Sequence, residues 1–260
     1  MENAIKDIYV NKDLQNIALY RYDLTDSTNT RAKLYAKFCC EEHRAPAIFL
    51  SRAQSAGRGT RGRNFESPKD AGLYVSYLVY PDKSIKNPSQ LTTYAAVACC
   101  RALRSLSKGK FDPGIKWVND IYVGGRKLAG ILTEGELTPD GSFRYAVVGI
   151  GINLCPSQHS PEVEAIMTTL SDEGVCVGFD ELFVALTDEF FSGLCNAGAK
   201  SVISEYRDLS MLIGKDVHIV TADGEHDETV TDIDSDGALI TCDGKGNTKK
   251  YISGDVSVRL

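Results

Sequence analysis

The sequence predicts an α+β protein in which a larger unit of strands and helices precedes a small β-barrel. Residues 73–80 are rich in β-branched and aromatic side chains and are apolar on both faces, which is typical of a central strand. Residues 89–106 carry an apolar stripe at helical spacing. After residue 212, short strand-like runs alternate with Asp-Gly turns, which predicts a five-stranded barrel. We therefore expect two domains, at residues 1–212 and 213–260.

The composition is that of an ordinary globular chain and excludes several other classes. The 260 residues are 43% hydrophobic and 25% charged, which rules out a wholly disordered or collagen-like chain. No apolar run reaches the roughly 18 residues of a membrane span, so we expect no membrane association. The first residues show no secretory signal, and the eight cysteines have no zinc-site spacing. We expect a cytoplasmic protein with reduced thiols and no metal ligands of its own.

The elements before residue 110 follow from local signals. Asp26, Ser27 and Thr28 can cap a helix that runs to about Cys40. A short strand at 47–53 and a loop at 57–62 precede the central strand. The inner face of the helix at 89–106 is predicted to hold Leu91, Ala95, Ala98, Ala102 and Leu106.

The later elements begin with a hairpin. Residues 115–123 and 127–132 are predicted strands joined across Gly124 and Gly125, a pair that favours tight turns. Another strand is expected at 144–153, and Asp180 is expected to cap a helix. The barrel strands are predicted at 217–221, 229–233, 238–242, 248–252 and 256–259.

A basic segment in this acidic protein indicates a local anion site. The net charge is −6, yet residues 43–65 contain five arginines and no acid. Arg58, Arg61 and Arg63 lie there among glycines, which let the backbone approach an anion while forked guanidinium groups bind its oxygens. A strand rather than a helix follows, so a dinucleotide-binding fold is rejected. The alternative to an anion-binding loop is an ordinary surface turn.

The predicted hairpin at 115–132 carries a second group of polar residues. Strand alternation would place Lys116, Val118 and Asp120 on one face, opposite Trp117 and Asn119. Lys127 begins the return strand, where an ammonium group can hold a carboxylate or a phosphate. A salt-bridged hairpin is the alternative.

Two further segments suit a ligand. Gly149 and Gly151 interrupt a strand, which indicates either a ligand lying against the backbone or a β-bulge. Residues 26–29 offer amides and hydroxyls at a helix start, which suit a small polar ligand head, or they are simply the helix cap.

Together these four segments resemble the biotin protein ligases, also called biotin–[acetyl-CoA-carboxylase] ligases. The family motifs S-T-N, G-R-G-x-x-G-R, K-W-P-N-D, K-L-A-G-I-L and G-x-G-x-N are matched at residues 27–29, 57–63, 116–120, 127–132 and 149–153. Their order and spacing agree over roughly residues 20–260. Joint agreement of this kind is far more specific than any single motif.

The resemblance implies a mixed β-sheet with flanking helices, related to class II synthetases, followed by an SH3-like β-barrel. It implies activation of biotin by ATP, with Mg²⁺, to biotinyl-5′-AMP. The biotinyl group would then pass to one lysine of a biotin carboxyl carrier protein or carrier domain. Lipoate or octanoate transfer on the same fold and a non-catalytic biotin-binding module are the rival readings.

The resemblance also implies site residues, position by position. Catalytic roles fall to Lys127, Arg58, Arg61 and, as the residue that orients the acceptor amine, Asp120. Biotin binding falls to Ser27, Thr28, Asn29, Gln54, Arg58, Gly59, Thr60, Lys127, Gly130, Gly149 and Gly151. Nucleotide binding falls to Arg61, Arg63, Phe65, Lys116, Asn119, Asn153 and Arg259.

The sequence departs from the family pattern in the glycine–arginine loop and in the hairpin. Thr60 stands where many members have an arginine, and Val118 replaces a proline. Only 26 residues precede Ser27, so we expect no DNA-binding domain and no DNA partner. Exposed strand edges in such sheets often pair, so a homodimer is one further expectation.

Overall fold

The computed structural model describes residues 4–10, 16–39, 44–83, 85, 87–221, 224–252 and 254–258, in two β-sheets with helices on both faces of the larger one. The first unit contains β1 Ile5–Val10, β2 Asn16–Tyr22, α1 Thr28–Phe38, β3 Ala47–Ser51, β4 Gly72–Val79, α2 Pro88–Ser107, β5 Gly114–Lys116, β6 Asp120–Val123, β7 Arg126–Leu137, β8 Phe143–Asn153, α3 Pro161–Glu164, α4 Phe179–Gly193 and α5 Lys200–Asp208. The second contains β9 Asp216–Thr221, β10 Gly224–Ile233, β11 Leu239–Cys242, β12 Thr248–Tyr251 and β13 Asp255–Val258.

The larger sheet is mixed, and its eight strands within the described residues follow the order β1-β2-β3-β4-β8-β7-β6-β5. β2 and β3 run parallel and the other described pairs run antiparallel. Every residue of β4 is buried, because α1 covers one face of the sheet while α2 and α4 cover the other. The predicted α+β class, the mixed sheet and the central strand are confirmed.

Helix α2 shows how local sequence signals set an element. Asn87 precedes it and accepts a hydrogen bond from the Gln90 amide at 3.0 Å, and Pro88 occupies the first turn. The predicted inner face is buried at Leu91, Ala95, Ala98 and Ala102 and half-buried at Leu106.

The second sheet is antiparallel, with the order β12-β11-β10-β9-β13, and matches the predicted SH3-like barrel. It does not stand apart from the first unit. Arg207 of α5 lies 2.8 Å from the Asp232 carboxylate of β10, and the Trp117 indole donates to the Gly237 carbonyl. The division at residue 212 stays a prediction.

Three of the predicted elements need correction. Helix α4 begins at Phe179 with Gly178 at its N-cap, so Asp180 lies inside the first turn, where it pairs with Arg21. Helix α1 ends at Phe38, and Cys40 lies outside the described residues. The predicted strand at 115–123 is two strands, because residues 117–119 form a turn that brings Lys116 opposite Asp120. Strands β1 and β2 and helices α3 and α5 were not predicted.

Candidate functional site

Three glycines lie together on one face of the larger sheet, and we call this group the glycine floor. Gly130 of β7 pairs with Gly151 of β8, and Gly149 lies two residues before Gly151 on the same face. A Cβ atom on Gly149 would lie 2.1 Å from Asn29 Oδ1, and one on Gly151 would lie 2.5 Å from the Phe65 ring. The β7–β8 register is regular at these positions, so the glycines are there for close approach rather than for a bulge.

The start of α1 presents buried polar groups to this glycine floor. Ser27, Thr28 and Asn29 are each less than 5% exposed. The Thr28 amide donates to Gln54 Oε1 at 2.8 Å, and the Ser76 hydroxyl lies 2.6 Å from Asn29 Oδ1. Ser27 occupies the N-cap position but its side chain makes no capping bond. These polar groups therefore belong to the wall of a site as well as to a helix start.

The glycine–arginine loop closes over the same region. The Phe65 amide donates to the Gly57 carbonyl at 2.9 Å, and the Gly59 amide donates to the Arg63 carbonyl at 2.8 Å. Gly57 has no room for a side chain, since a Cβ there would lie 2.2 Å from the Phe65 carbonyl oxygen. These bonds give the loop a defined shape that an ordinary surface turn does not need.

Arg58 points from the loop to an acid on β7. One of its terminal nitrogens lies 3.1 Å from Glu134 Oε1, and Lys33 Nζ lies 2.6 Å from the same oxygen. Asn29 Nδ2 donates to the other carboxylate oxygen at 3.0 Å. Burial alone would raise the pKa of Glu134, but the hydrogen bonds from Lys33 and Asn29 and the charges of Lys33 and Arg58 hold it below its ordinary value.

Lys127 and Asp120 form an ion pair beside the glycine floor. The Lys127 ammonium nitrogen lies 2.7 Å from Asp120 Oδ1. The two groups form an ion pair, but their orientation is not that of a hydrogen bond. Asn119 Nδ2 donates to the Ile131 carbonyl at 2.8 Å, which fixes the start of β6 against β7. Lys127 therefore forms the salt bridge of the hairpin and also lies beside the glycine floor, so the two interpretations of this lysine do not exclude each other.

The turn at 117–119 is held from two sides. Trp117 is 4% exposed, and its Nε1 donates to the Gly237 carbonyl of the barrel at 2.8 Å. The Tyr206 hydroxyl of α5 donates to the Val118 carbonyl at 2.9 Å. The barrel and α5 thus position the residues on either side of the turn, including Lys116 and Asp120.

Two adjoining cavities collect most of the predicted site residues. The first encloses about 110 Å³ and is lined by Ser27, Thr28, Asn29, Gln54, Arg58, Gly59, Thr60, Arg63, Phe65, Asn119, Asp120, Lys127, Gly130, Gly149 and Gly151, together with Asn64, Tyr74 and neighbouring aliphatic residues. The second, of about 350 Å³, lies between the loop and the barrel and is lined by Thr60, Arg61, Arg63, Lys116 to Asp120, Val220, Ile252, Gly254 and Val256. Four residues line both, namely Thr60, Arg63, Asn119 and Asp120.

Of the predicted site residues that the structure describes, Asn153 does not line either cavity. The Asn153 amide donates to the carbonyls of Lys127 and Thr168, which fastens the end of β8 to neighbouring backbone. Arg259 lies outside the described residues. The roles predicted for individual residues stay predictions.

Sequence reasoning missed Ser76, Glu134 and Lys33. Ser76 carries the lone hydroxymethyl side chain of the buried strand β4, and that was a usable signal because a buried hydroxyl needs a partner. Nothing in the local sequence pairs Lys33 with Glu134, which is 101 residues away. In the part of the chain that the structure describes, no three His, Cys, Asp or Glu side chains lie together in a way that could hold a metal ion. None of the helices there combines the length and the apolar character of a membrane span.

Comparison with known proteins agrees with this geometry. Residues 22–153 match the model of the biotin/lipoate A/B protein ligase family. The biotin–[acetyl-CoA-carboxylase] ligase of Paracoccus denitrificans is 31% identical over 83% of this chain and 90% of its own. The bifunctional ligase/repressor BirA of Bacillus subtilis is 27% identical over 92% of this chain and 74% of its own. The Aquifex aeolicus biotin protein ligase in complex with biotin and ATP superimposes with a TM-score of 0.75 at 24% identity, covering 93% of this chain and 98% of that one.

Proposed function

The chain belongs to the biotin/lipoate A/B protein ligase family, as a biotin protein ligase, and from this premise we propose that it makes and uses biotinyl-5′-AMP. In the first step a biotin carboxylate oxygen attacks the α-phosphorus of ATP and pyrophosphate leaves. In the second, the amine of a carrier lysine attacks the acyl carbon and AMP leaves. Mg²⁺ enters with ATP as part of that substrate.

The observation that carries this proposal is that five cationic side chains line two adjoining cavities, the first of which has the glycine floor. Arg58, Arg63 and Lys127 line the first cavity, and Arg61 and Lys116 line the second cavity beside it. A carboxylate and a triphosphate repel each other, and further negative charge develops on the phosphoryl oxygens during transfer. Fixed cations around the reacting atoms lower that barrier without a protein nucleophile.

The buried polar wall suits the neutral end of biotin. Thr28, Gln54 and Asn29 form a connected set of donors and acceptors around the Ser76 hydroxyl. The ureido ring of biotin has both N–H donors and a carbonyl acceptor, so a wall of this kind can satisfy it. The glycine floor lets the Asn29 amide and the Phe65 ring approach the backbone, and both would then lie beside the bound bicyclic ring.

We assign the cation that the first step needs to Lys127 and the base that the second step needs to Asp120. Lys127 would hold the carboxyl end of biotin in line with the α-phosphorus, as proximity catalysis requires. Asp120, at 2.7 Å from Lys127, would orient the incoming amine and accept its proton. We infer that the acceptor is the carrier protein or carrier domain of a biotin-dependent carboxylase, since the Paracoccus relative is named as a biotin–[acetyl-CoA-carboxylase] ligase.

The test is exchange of labelled pyrophosphate into ATP, measured with biotin, with lipoate and with neither. The proposal expects exchange that depends on biotin. Exchange with lipoate alone would assign the protein to the lipoate branch of the family. Silence with both, while biotin still raises the melting temperature, would make it a non-catalytic binding module.

A further inference from the structure

We propose that Arg207 is a positioning residue for the turn at residues 117–119, and that it acts on this turn through the small barrel. Arg207 lies on α5 and does not line either of the two cavities of the site. The kinetic consequence of the proposal rests on the proposed function. Its structural part concerns the contact between Trp117 and the barrel, and this part can be tested without any reaction.

Three consecutive residues of α5 reach three different parts of the protein. Glu205 pairs with an arginine of α2. Tyr206 is fully buried and donates at 2.9 Å to the middle carbonyl of the turn at 117–119. Arg207 faces the barrel, where its Nε donates to the carbonyl of Ile233. Successive side chains of a helix point about 100° apart, so one rigid turn of α5 fixes all three contacts relative to each other.

Arg207 holds the base of a short connection that we call the barrel turn, residues 234–238 between β10 and β11. The residue that accepts its hydrogen bond, Ile233, is the last residue of β10. Gly237 lies in the barrel turn, and its carbonyl accepts the hydrogen bond from the Trp117 indole at 2.8 Å. Arg207 is therefore bound to the strand end from which the acceptor of the Trp117 bond projects.

The barrel turn has a defined internal shape, so a contact at its base also affects its tip. The Asp234 carboxylate accepts from the Asp236 amide at 2.8 Å and from the Ala238 amide at 3.0 Å. Gly237 has a φ of 81°, and a Cβ atom there would lie 2.8 Å from a threonine methyl group of α2. The tip is thus packed against α2, and the bonds of Arg207 set the place of the base relative to α5.

The segment that follows α5 holds the other partner of the same hydrogen bond. The backbone of Ile115 in β5 pairs with residues 209–211 through two hydrogen bonds, of 2.8 and 2.9 Å. Ile115 directly precedes Lys116, which lines the second cavity, and Trp117 follows. One stretch of chain therefore holds both the donor side and the acceptor side of the bond between Trp117 and the barrel.

The contacts of Arg207 are directional, as a positioning role requires. Its side chain is 35% exposed, and two of its nitrogens lie 2.8 and 3.3 Å from the two carboxylate oxygens of Asp232. The same guanidinium group also meets the Ile233 carbonyl. A planar group that binds a carboxylate and a carbonyl together fixes direction as well as distance. Without Arg207 the base of the barrel turn should shift, and the Trp117 bond should form for less of the time.

The first experiment measures this contact by fluorescence, because Trp117 is the only tryptophan in the sequence. Its side chain is buried, so the wild-type protein should emit at short wavelength and resist quenching by acrylamide. We expect Arg207→Gln to move the emission to longer wavelength and to raise the quenching constant at least about twofold, because local opening exposes the indole. Wild-type emission and quenching in Arg207→Gln would overturn the proposal.

Glu205→Gln is the matched control for this measurement. It lies on the same helix and also loses a partly exposed ion pair, but its contact leads to α2 and not to the barrel. Emission and quenching should therefore stay at their wild-type values in Glu205→Gln. An equal change in both variants would mean that Trp117 responds to any loosening of α5, and it would refute the specific role of Arg207.

Exchange kinetics separate positioning from a general loss of stability. The proposed biotin wall is built by α1 and β4 rather than by the turn at 117–119, so Arg207→Gln should leave the KM for biotin nearly unchanged. The kcat of biotin-dependent exchange should fall roughly three- to tenfold, the range for the loss of one net hydrogen bond. In a Trp117→Phe background the same change should have little further effect. An undiminished effect there would show that Arg207 does not act through Trp117.

Two further outcomes complete the test. If Arg207→Gln unfolds by its melting curve, Asp232→Asn takes its place, because it removes only the ion pair, and a wild-type emission spectrum in that variant would refute the proposal. An exposed Trp117 in Arg207→Gln, when the wild-type protein shows no exchange with any acid, would refute the proposed function and leave the structural role of Arg207 standing. An unchanged kcat beside an exposed Trp117 would refute the effect of Arg207 on the reaction.

Discussion

Replacing Gly149 with alanine should damage the site more than any other single methyl group added to the glycine floor. The new Cβ would lie 2.1 Å from Asn29 Oδ1, roughly 1 Å or more inside ordinary contact. Asn29 must then retreat and lose its bonds to Ser76 at 2.6 Å and Glu134 at 3.0 Å. Two such bonds in a buried setting are worth about 1–3 kcal/mol together.

The assay is urea unfolding of Gly149→Ala beside Gly130→Ala and the wild type. Gly130 is the graded control, since its Cβ would meet its nearest neighbours at 3.4 Å, an ordinary contact. We expect Gly149→Ala to lose about 1–3 kcal/mol of unfolding free energy and Gly130→Ala less than about 1 kcal/mol. Gly149→Ala should also weaken biotin binding measured by calorimetry. Equal stability of the two variants, with unchanged biotin affinity, would refute the close-approach argument.

Three further predictions follow from the reacting centre, the turn and the loop tip. Lys127→Ala should lower the rate of biotin-dependent exchange by at least about a hundredfold, as the loss of one transition-state cation does, and near-normal exchange in a folded variant would remove its assigned role. Trp117→Phe and Tyr206→Phe each remove one hydrogen bond that holds the turn at 117–119, so each should slow exchange several-fold while the far-ultraviolet circular dichroism spectrum stays unchanged. Full activity in both variants would mean that the turn needs no support. Thr60→Arg should slow the dissociation of biotinyl-5′-AMP, measured in matched salt, and should reduce self-biotinylation. The reason is that the forked donors of arginine bind a phosphate better than one hydroxyl does. Equal off-rates for the two proteins would show that Arg61 or Arg44 already compensates.

The loop residues that line the cavities could be predicted from the sequence because their signals are local. The glycines within residues 57–63 indicate a backbone that a ligand can approach closely, and the arginines indicate positive charge. In the structure Arg58 and Arg63 line the first cavity. The pairing of Asp120 with Lys127 was also within reach, since both lie on one hairpin. Contacts between residues that are close in the sequence can be predicted from the spacing of the residue types.

The parts that could not be predicted depend on distant contacts. The strand expected through residues 117–119 gives way to a turn whose fastening points, Tyr206 and Gly237, are 88 and 120 residues away. Glu134 finds Lys33 across 101 residues. Strand β1 was missed because most of its residues are exposed, so it shows no alternation of apolar and polar side chains.

The hydrogen bond from Trp117 to Gly237 also determines when, during synthesis, the 117–119 turn first has its full support. The glycine floor is complete once β8 has left the ribosome, but Trp117 has no partner until the chain has grown on to Gly237 in the barrel. At roughly 5–20 residues per second, several seconds separate the two events. A nascent chain in that interval carries the floor and the arginine loop without the support that positions Lys116 and Asp120. The full rate of the proposed reaction should therefore appear only after Gly237 has left the ribosome, which synchronised cell-free synthesis with timed exchange measurements would detect.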